Sequence, residues 1–427
     1  MRWIVWGSIL LTLLTPAAVK PDHSATDEYR SRRANLREVI ADGVIILEGN
    51  TEEAGDLRTG FLQEPNFYYL TGWAEPGAIL LMTPGDEVLF VPRRNPEAEK
   101  WTGRKASPDD RDIRKRTGFE KVLSTESFES QVVRYLEAAP KVYLLKGKPA
   151  AARLERLLAM RSIQDAAPAI ARLRMVKSAH EQDLIRRSID VSIHGHRAIW
   201  QRAAAGLYEY QLAATLTSVF LESGCAGPAY AHIVGSGPNA TVLHYSANSR
   251  RMDSGDLLLV DAGAECGGYA ADITRTIPVN GKFTSRQKEI YNIVLGAQST
   301  AIAAARPGMT IGKTTANSLY RVAYDYIDSH GKDQQGNTLG KYFTHGVSHH
   351  VGLEVHDAND PAMPLAPGMI ITVEPGIYLP EENIGVRIED MILITENGAK
   401  VLTESLPKDV EAIERFLAER KPYAPSR

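Results

Sequence analysis

The chain predicts two α/β domains, the second the larger, and three observations carry that reading. Its 427 residues exceed the size at which a single core stops growing. The first part alternates short apolar runs with amphipathic stretches, the pattern of a mixed sheet flanked by helices. The second part opens with two helix-length segments and continues with apolar strands that carry acids and histidines, broken by a further helical pair. A hydrophobic content of 44% is ordinary for a globular protein, and a net charge of −3 leaves no basic footprint for nucleic acid.

At the N-terminus, Arg2 precedes an apolar run from Trp3 to Leu14 and then Thr15-Pro16-Ala17-Ala18. This is the order of a secretory signal, and the run is short for a spanning helix. Residues 1–18 are therefore expected to be a signal peptide. The mature protein is expected to be exported, periplasmic or secreted, without stable membrane association. A first domain follows over 25–170. Gly43–Leu47, Gly77–Met82, Glu87–Val91 and Lys141–Leu145 read as buried strands, with helical pieces at Arg32–Ala41 and Phe128–Glu137. The aromatic patch Phe67–Gly72 reads as core or interface, and no constellation of acids, histidines or cysteines marks a site in this domain. Ile163–Arg174 reads as a linker. Ser178, three residues before Glu181, has capping-box spacing and starts the helix that opens a second domain over 175–418. Its helices are expected at Glu181–Ala205, Tyr208–Ser223, Ser285–Ala305 and Ile311–His330. Only Cys225 and Cys266 are present, so a disulfide framework is ruled out. The pair could bridge in an oxidising compartment, and Cys266, between two aspartates, is weighed as a thiolate ligand and read as a bystander.

The chemistry lies in the second domain. Leu257–Asp261, a Gly267-Gly268 turn and the segment through Asp272 to Arg275 read as a hairpin, which puts 261 opposite 274 and 263 opposite 272. Asp261, Gly263, Asp272 and Thr274 then share one face, with Gly263 leaving room for ions. Two carboxylates on a buried face repel and raise one another's pKa unless a cation neutralises them. Downstream, His345, His349, His350 and His356 put four of the eleven histidines into twelve positions, a concentration that packing does not require. Ile370–Val373 is a buried strand ending in Glu374 before Pro375-Gly376, and Gly385–Ile394 reads as one interior strand with Arg387 and Glu389 on one face. Asp261, Asp272, His349, Glu374 and Glu389 together suit two divalent cations. Carboxylates favour hard ions such as Mn²⁺, and one imidazole admits Co²⁺ or Zn²⁺. Two such ions activate water for hydrolysis.

These segments resemble the pita-bread metallopeptidases, a family that includes methionyl aminopeptidase, Xaa-Pro aminopeptidase and prolidase. The motifs are Asp261-Ala-Gly-Ala-Glu265, Ala271-Asp-Ile-Thr-Arg-Thr276, His345-Gly-Val-Ser-His349, Val355-His-Asp357, Val373-Glu-Pro-Gly376 and Arg387-Ile-Glu-Asp390. Arg32-Arg33-Ala-Asn-Leu36, Phe67–Gly72 and Glu75-Pro-Gly-Ala78 resemble the N-terminal domain of the Xaa-Pro aminopeptidases. The resemblance implies a pita-bread catalytic domain of two βα-type halves. It implies that Asp261 holds one metal, that Asp272 and Glu389 bridge two, and that His349 and Glu374 complete the second, with Mn²⁺ expected first. His244, His345, His356, Arg387 and Tyr378 would contact substrate. Among them His356 and His345 would face the developing oxyanion, while Glu374 shuttles the proton. The implied substrate is a peptide with proline at its second position, and the protein is expected to form a homo-oligomer. An Xaa-Pro dipeptidase is the alternative within the family, and a non-catalytic peptide-binding module the alternative outside enzymes. Two positions depart from the family pattern: His350 stands where a bulky apolar residue is usual, and Cys266 where a tyrosine is common.

Overall fold

The structure is a computed structural model that describes residues 23–420, apart from 53–59 and scattered positions between 138 and 159. The expected signal at 1–18 lies outside the described residues. The chain divides between Gln164 and Asp165 into two compact units.

The first unit is built on one sheet. Its strands are β1 (Val44–Glu48), β2 (Ile79–Met82), β3 (Glu87–Val91), β4 (Lys121–Ser124), β5 (Lys141–Leu144) and β6 (Ser162–Asp165), in the order β4-β3-β2-β1-β5-β6. Parallel pairing of β1 with β5 and of β3 with β4, beside antiparallel β1–β2 and β2–β3, makes the sheet mixed. Its helices are α1 (His23–Val39), α2 (Pro65–Thr71), α3 (Pro96–Thr102), α4 (Ile113–Thr117) and α5 (Phe128–Leu136). The aromatic patch forms α2 and lies in the core, with Phe67, Tyr69 and Leu70 buried. Arg33 of α1 is fully buried: its guanidinium donates to the Leu70 carbonyl (2.9 Å) and to Glu87 of β3 (2.7 Å). A buried cation persists only when so paired. The stretch read as a linker instead supplies β6 and a helix, α6 (Ala167–Met175).

The second unit opens with α7 (Ala179–Arg202), whose Ser178–Glu181 capping box is present in both directions, and α8 (Glu209–Glu222). Four short sheets follow. Strands β7 (Gly227–Pro228), β10 (Ala264–Cys266) and β11 (Tyr269–Ala270) make one, and β8 (Ile233–Ser236), β9 (Leu257–Asp261) and β12 (Thr274–Pro278) the next. Beyond α9 (Ser285–Ala304) and α10 (Leu319–Ser329), β13 (Ile370–Val373), β16 (Asp390–Thr395) and β17 (Gly398–Val401) form the third, and β14 (Gly376–Leu379) pairs with β15 (Ile384–Arg387). A final helix, α11 (Val410–Glu419), closes the unit.

The hairpin register is as the sequence reads it, with Thr274 opposite Asp261 and Cys266 opposite Tyr269. Three expectations change. The second helix of the central pair starts at Leu319, capped by Ser318, rather than at Ile311, because Ser318 accepts from the Arg321 amide. The strand expected over Gly385–Ile394 breaks at Ile388–Glu389 into β15 and β16, which pair with different partners. Gly263 is required by backbone rather than by room for ions: a Cβ there would lie 1.7 Å from the Ala271 carbonyl oxygen.

Candidate active site

Each carboxylate of the expected cage stands at the end of a strand or in the gap between two. Asp261 ends β9, Asp272 lies between β11 and β12, Glu374 follows β13, and Glu389 sits in the break between β15 and β16. His349 belongs to an irregular segment held to β13, where its backbone amide donates to Thr372 Oγ1 (3.1 Å) and its carbonyl accepts from the Thr372 amide (2.9 Å). Ligand-type atoms of Asp272, His349 and Glu389 all fall within 4.8 Å of one another. His349 Nε2 is 3.3 Å from Asp272 and 3.5 Å from Glu374. The fifth residue, Asp261, reaches the cage through Tyr230, whose hydroxyl lies 2.5 Å from Asp261 Oδ1 and also contacts Asp272.

Asp261, Asp272 and Glu389 are 8%, 5% and 1% exposed, so these are buried charges that need compensation. Asp261 finds it in Arg387, 2.7 Å away. Burial opposes its charge, but Arg387 and Tyr230 hold its carboxyl below the usual range. Asp272 and Glu389 find too little. Burial, then the neighbouring carboxylates, pushes both upward, Glu389 strongly. Burial likewise pushes Glu374 up to about 7, despite His349 and Arg387. A donor set that crowds its own charges in this way is what a multivalent cation relieves. His349 fits that role by its orientation: Nδ1 lies 3.1 Å from the His350 carbonyl, a bond that leaves Nε2 as the ligand nitrogen. The residues present therefore fit divalent cations.

Around the cage lies a cavity of about 300 Å³ lined by His244, His345, Ser348, His349, His356 and Arg387 together with the four carboxylates. Tyr378 stands behind this wall. Its hydroxyl accepts from Arg387 Nη1 and lies 2.8 Å from His345 Nε2, while His345 Nδ1 lies 2.7 Å from the Gly346 carbonyl. Both ring nitrogens of His345 are thus occupied, and burial with Arg387 lowers its pKa to about 3. His356, with its ring 4.2 Å from that of His349, makes no side-chain hydrogen bond to the described residues. His244 is exposed at the cavity edge, on a segment hung from the fully buried Glu209 of α8. That carboxylate accepts from Ser236, Asn239, Tyr245 and the Arg250 amide.

Cys266 is no ligand, since it forms a disulfide with Cys225. His350 is buried against Lys177 and Asp357, and burial lowers its pKa to about 4. Sequence reasoning missed Tyr230. It follows Gly227-Pro228, a segment with no local motif, which reaches the site because it pairs with the aspartate hairpin.

A buried cage of this donor chemistry opening onto that cavity is the arrangement of a metal-dependent hydrolase. Comparison with known proteins narrows the class. The profile of Metallopeptidase family M24 matches residues 183–396, and that of the aminopeptidase P N-terminal domain matches 29–143. Xaa-Pro aminopeptidase of Escherichia coli strain K12 is 34% identical, over 91% of this chain and 97% of that protein. Human Xaa-Pro aminopeptidase 3 is 30% identical, over 95% and 89%. Zinc-substituted E. coli aminopeptidase P in complex with product superposes with a TM-score of 0.84 at 32% identity, covering 93% of this chain and 99% of that one. Proline aminopeptidase P II from Yersinia pestis superposes at 0.82 with 33% identity, covering 92% and 99%. The chain belongs to metallopeptidase family M24, and its fold is the mixed α/β pita-bread fold of the aminopeptidase P structures.

Proposed function

We propose that this protein is an Xaa-Pro aminopeptidase that removes the N-terminal residue of a peptide whose second residue is proline. The observation that carries the reading is the complete cage opening onto one cavity with His244 and His356, in a chain aligned over 91% of its length with a relative of that name. The four carboxylates and single imidazole favour Mn²⁺, with Co²⁺ or Zn²⁺ as the softer alternatives. Bound divalent cations would polarise the scissile carbonyl and bring the pKa of a water toward neutrality.

The chain's own residues do the rest. Asp272, Glu389, His349, Glu374 and Asp261 would hold the ions. Glu374, at the cavity wall, takes the proton of the attacking water and returns it to the departing proline nitrogen. His356, whose side chain makes no hydrogen bond to the described residues, has its pKa held down by burial and by His349, which favours its neutral form. It can therefore offer an N–H to the oxygen that becomes negative. His244, which lines the same cavity, is a substrate contact, and His345 is a wall residue held from behind by Tyr378, which Arg387 fixes.

The test is an assay of the Mn²⁺-loaded protein on an Xaa-Pro-Pro tripeptide and an Xaa-Pro dipeptide. Tripeptide cleavage is expected. Cleavage of the dipeptide alone would make it a dipeptidase, and metal binding without cleavage of either would make it a peptide-binding module.

The reading includes an exported location. The signal-like N-terminus supports it, as does the bridge between the only two cysteines, since reducing compartments keep such thiols free. Among the described residues, no helix is long and apolar enough to cross a membrane. Protein taken from the native cell and denatured without reductant should bind no thiol reagent, and after reduction it should bind two equivalents. Free thiols before reduction would overturn the location.

A further inference from the structure

One buried amide on α9 touches the backbone beneath two cage carboxylates at once. Gln298 is 0% exposed. Its Nε2 donates to the Val373 carbonyl (3.1 Å) and to the Ile388 carbonyl (3.1 Å). Those two residues immediately precede Glu374 and Glu389. Val373 is the last residue of β13 and pairs with Asp390, the first of β16, while Ile388 lies in the break before β16, so the amide bonds the chain where that ladder stops. An amide has two N–H donors, and this one spends one on each break.

The orientation of the amide is itself determined. Lys408 Nζ lies 2.9 Å from Gln298 Oε1, and an ammonium can only donate. The two carbonyls can only accept. Reversing the amide would set N–H against N–H₃⁺ and oxygen against two oxygens, so its placement follows from the chemistry of its neighbours. Lys408 is held in turn by Asp390 (2.6 Å), which pairs with the fully buried Arg275 (2.7 Å), and Arg275 donates to the Glu389 carbonyl (2.6 Å). Glu389 therefore has its backbone fixed on both sides, at the Ile388 carbonyl by Gln298 and at its own carbonyl by Arg275. Glu374 is fixed at the Val373 carbonyl by Gln298 and at its own amide by the Val347 carbonyl (2.9 Å).

We infer that Gln298, oriented by Lys408, is a positioning residue that sets the spacing of Glu374 and Glu389 and thereby the affinity of the cage for divalent cations. It touches neither substrate nor ion. It acts by tying the end of β13 to the break before β16, just past the last pair of their shared ladder, Val373 with Asp390. Neighbours that orient metal ligands are worth 10- to 100-fold in metal affinity, and an amide that orients two should reach the upper part of that range.

The inference rests on the cage reading above, and the experiment separates the two. Mn²⁺ affinity of the full chain is measured by competition with a chelating indicator, alongside far-ultraviolet circular dichroism. Wild-type protein that takes up no Mn²⁺ would refute the cage itself. If it does bind, Gln298→Met, close in shape but without donors, should weaken affinity by about 100-fold with the circular dichroism retained. Ile290→Ala serves as the control: it opens a cavity under the same helix without touching either strand break, and its Mn²⁺ affinity should match wild type. Wild-type affinity in folded Gln298→Met, or an equal loss in Ile290→Ala, overturns the inference. Should Gln298→Met not fold, Lys408→Met decides. It leaves the donors in place but frees their orientation, and should weaken Mn²⁺ binding by about tenfold; unchanged affinity would equally overturn it.

Discussion

Glu374→Gln is expected to lower kcat on an Xaa-Pro-Pro tripeptide by about 1000-fold, a barrier increase of about 4 kcal/mol, in a protein that still folds and still takes up Mn²⁺. Glutamine matches glutamate in shape and keeps one oxygen toward His349 Nε2, which lies 3.5 Å from the native carboxylate. What it loses is the capacity to accept a proton from water and release it to the leaving nitrogen. Glu374 is suited to that exchange because burial brings its carboxyl up to about 7 in the donor set alone, near the pH at which a proton must be both taken and given. Its place is secured from the backbone, through the Val347 carbonyl and the Gln298 amide, and not by the carboxylate that is changed. Loss of metal along with activity would assign Glu374 to ion binding only. Full turnover with metal bound would remove it from the mechanism.

The aspartate hairpin was legible because its geometry follows from counting. A two-glycine loop fixes the register, and the register fixes which side chains share a face, so Asp261 and Thr274 oppose each other as expected. Thr274 then bonds Glu389 (2.6 Å) and receives Arg387 Nε (3.2 Å), which links the hairpin to the second carboxylate pair. That link joins positions more than a hundred residues apart, and no local pattern announces it. The same holds for the partner of Arg387. Alternation put Arg387 beside Glu389, yet its ion pair is with Asp261, because the strand breaks after Arg387 and the hairpin closes over the gap.

Helix ends were legible where a cap was written into the sequence and displaced where it was not. Ser178 with Glu181 placed the start of α7 closely. The apolar period after Ile311 placed α10 eight residues early, since Ser318 is the residue whose hydroxyl can accept from the first turn. Tyr230, Glu209 and Gln298 escaped notice for a shared reason. Each is one polar residue on an otherwise unremarked segment, and its importance comes from groups distant in sequence meeting at its head group. Burial reveals such residues, and sequence period does not.

In chelator, the protein is expected to lose thermal stability as pH rises from about 5 to about 9, and added Mn²⁺ is expected to reverse the trend. The sign follows from which state binds protons more tightly. Glu374 has a folded pKa of about 7 against an ordinary 4.5, so the stability it contributes is complete below about 4.5 and is lost as pH climbs through about 7. His349 acts in the same direction. Burial opposes its charge, but the Asp272 hydrogen bond and Glu374 raise it to about 9, so its contribution is complete below about 6.5 and is lost toward about 9. Asp272 and Glu389, also raised, add to the slope. Asp261 is depressed, so its stabilisation is lost only as pH falls below the ordinary carboxylate range, outside this window. Cations compete with these same protons for these same atoms. Their binding should therefore be weak near pH 5 and strong near pH 8, where an ion at a thousandfold excess over its Kd contributes about 4 kcal/mol. Unfolding midpoints measured in chelator and in Mn²⁺ across that range should diverge steadily as pH rises. A constant difference would mean that the ion binds away from the crowded carboxylates, because only at the cage does each cation have to displace the protons that burial has put there.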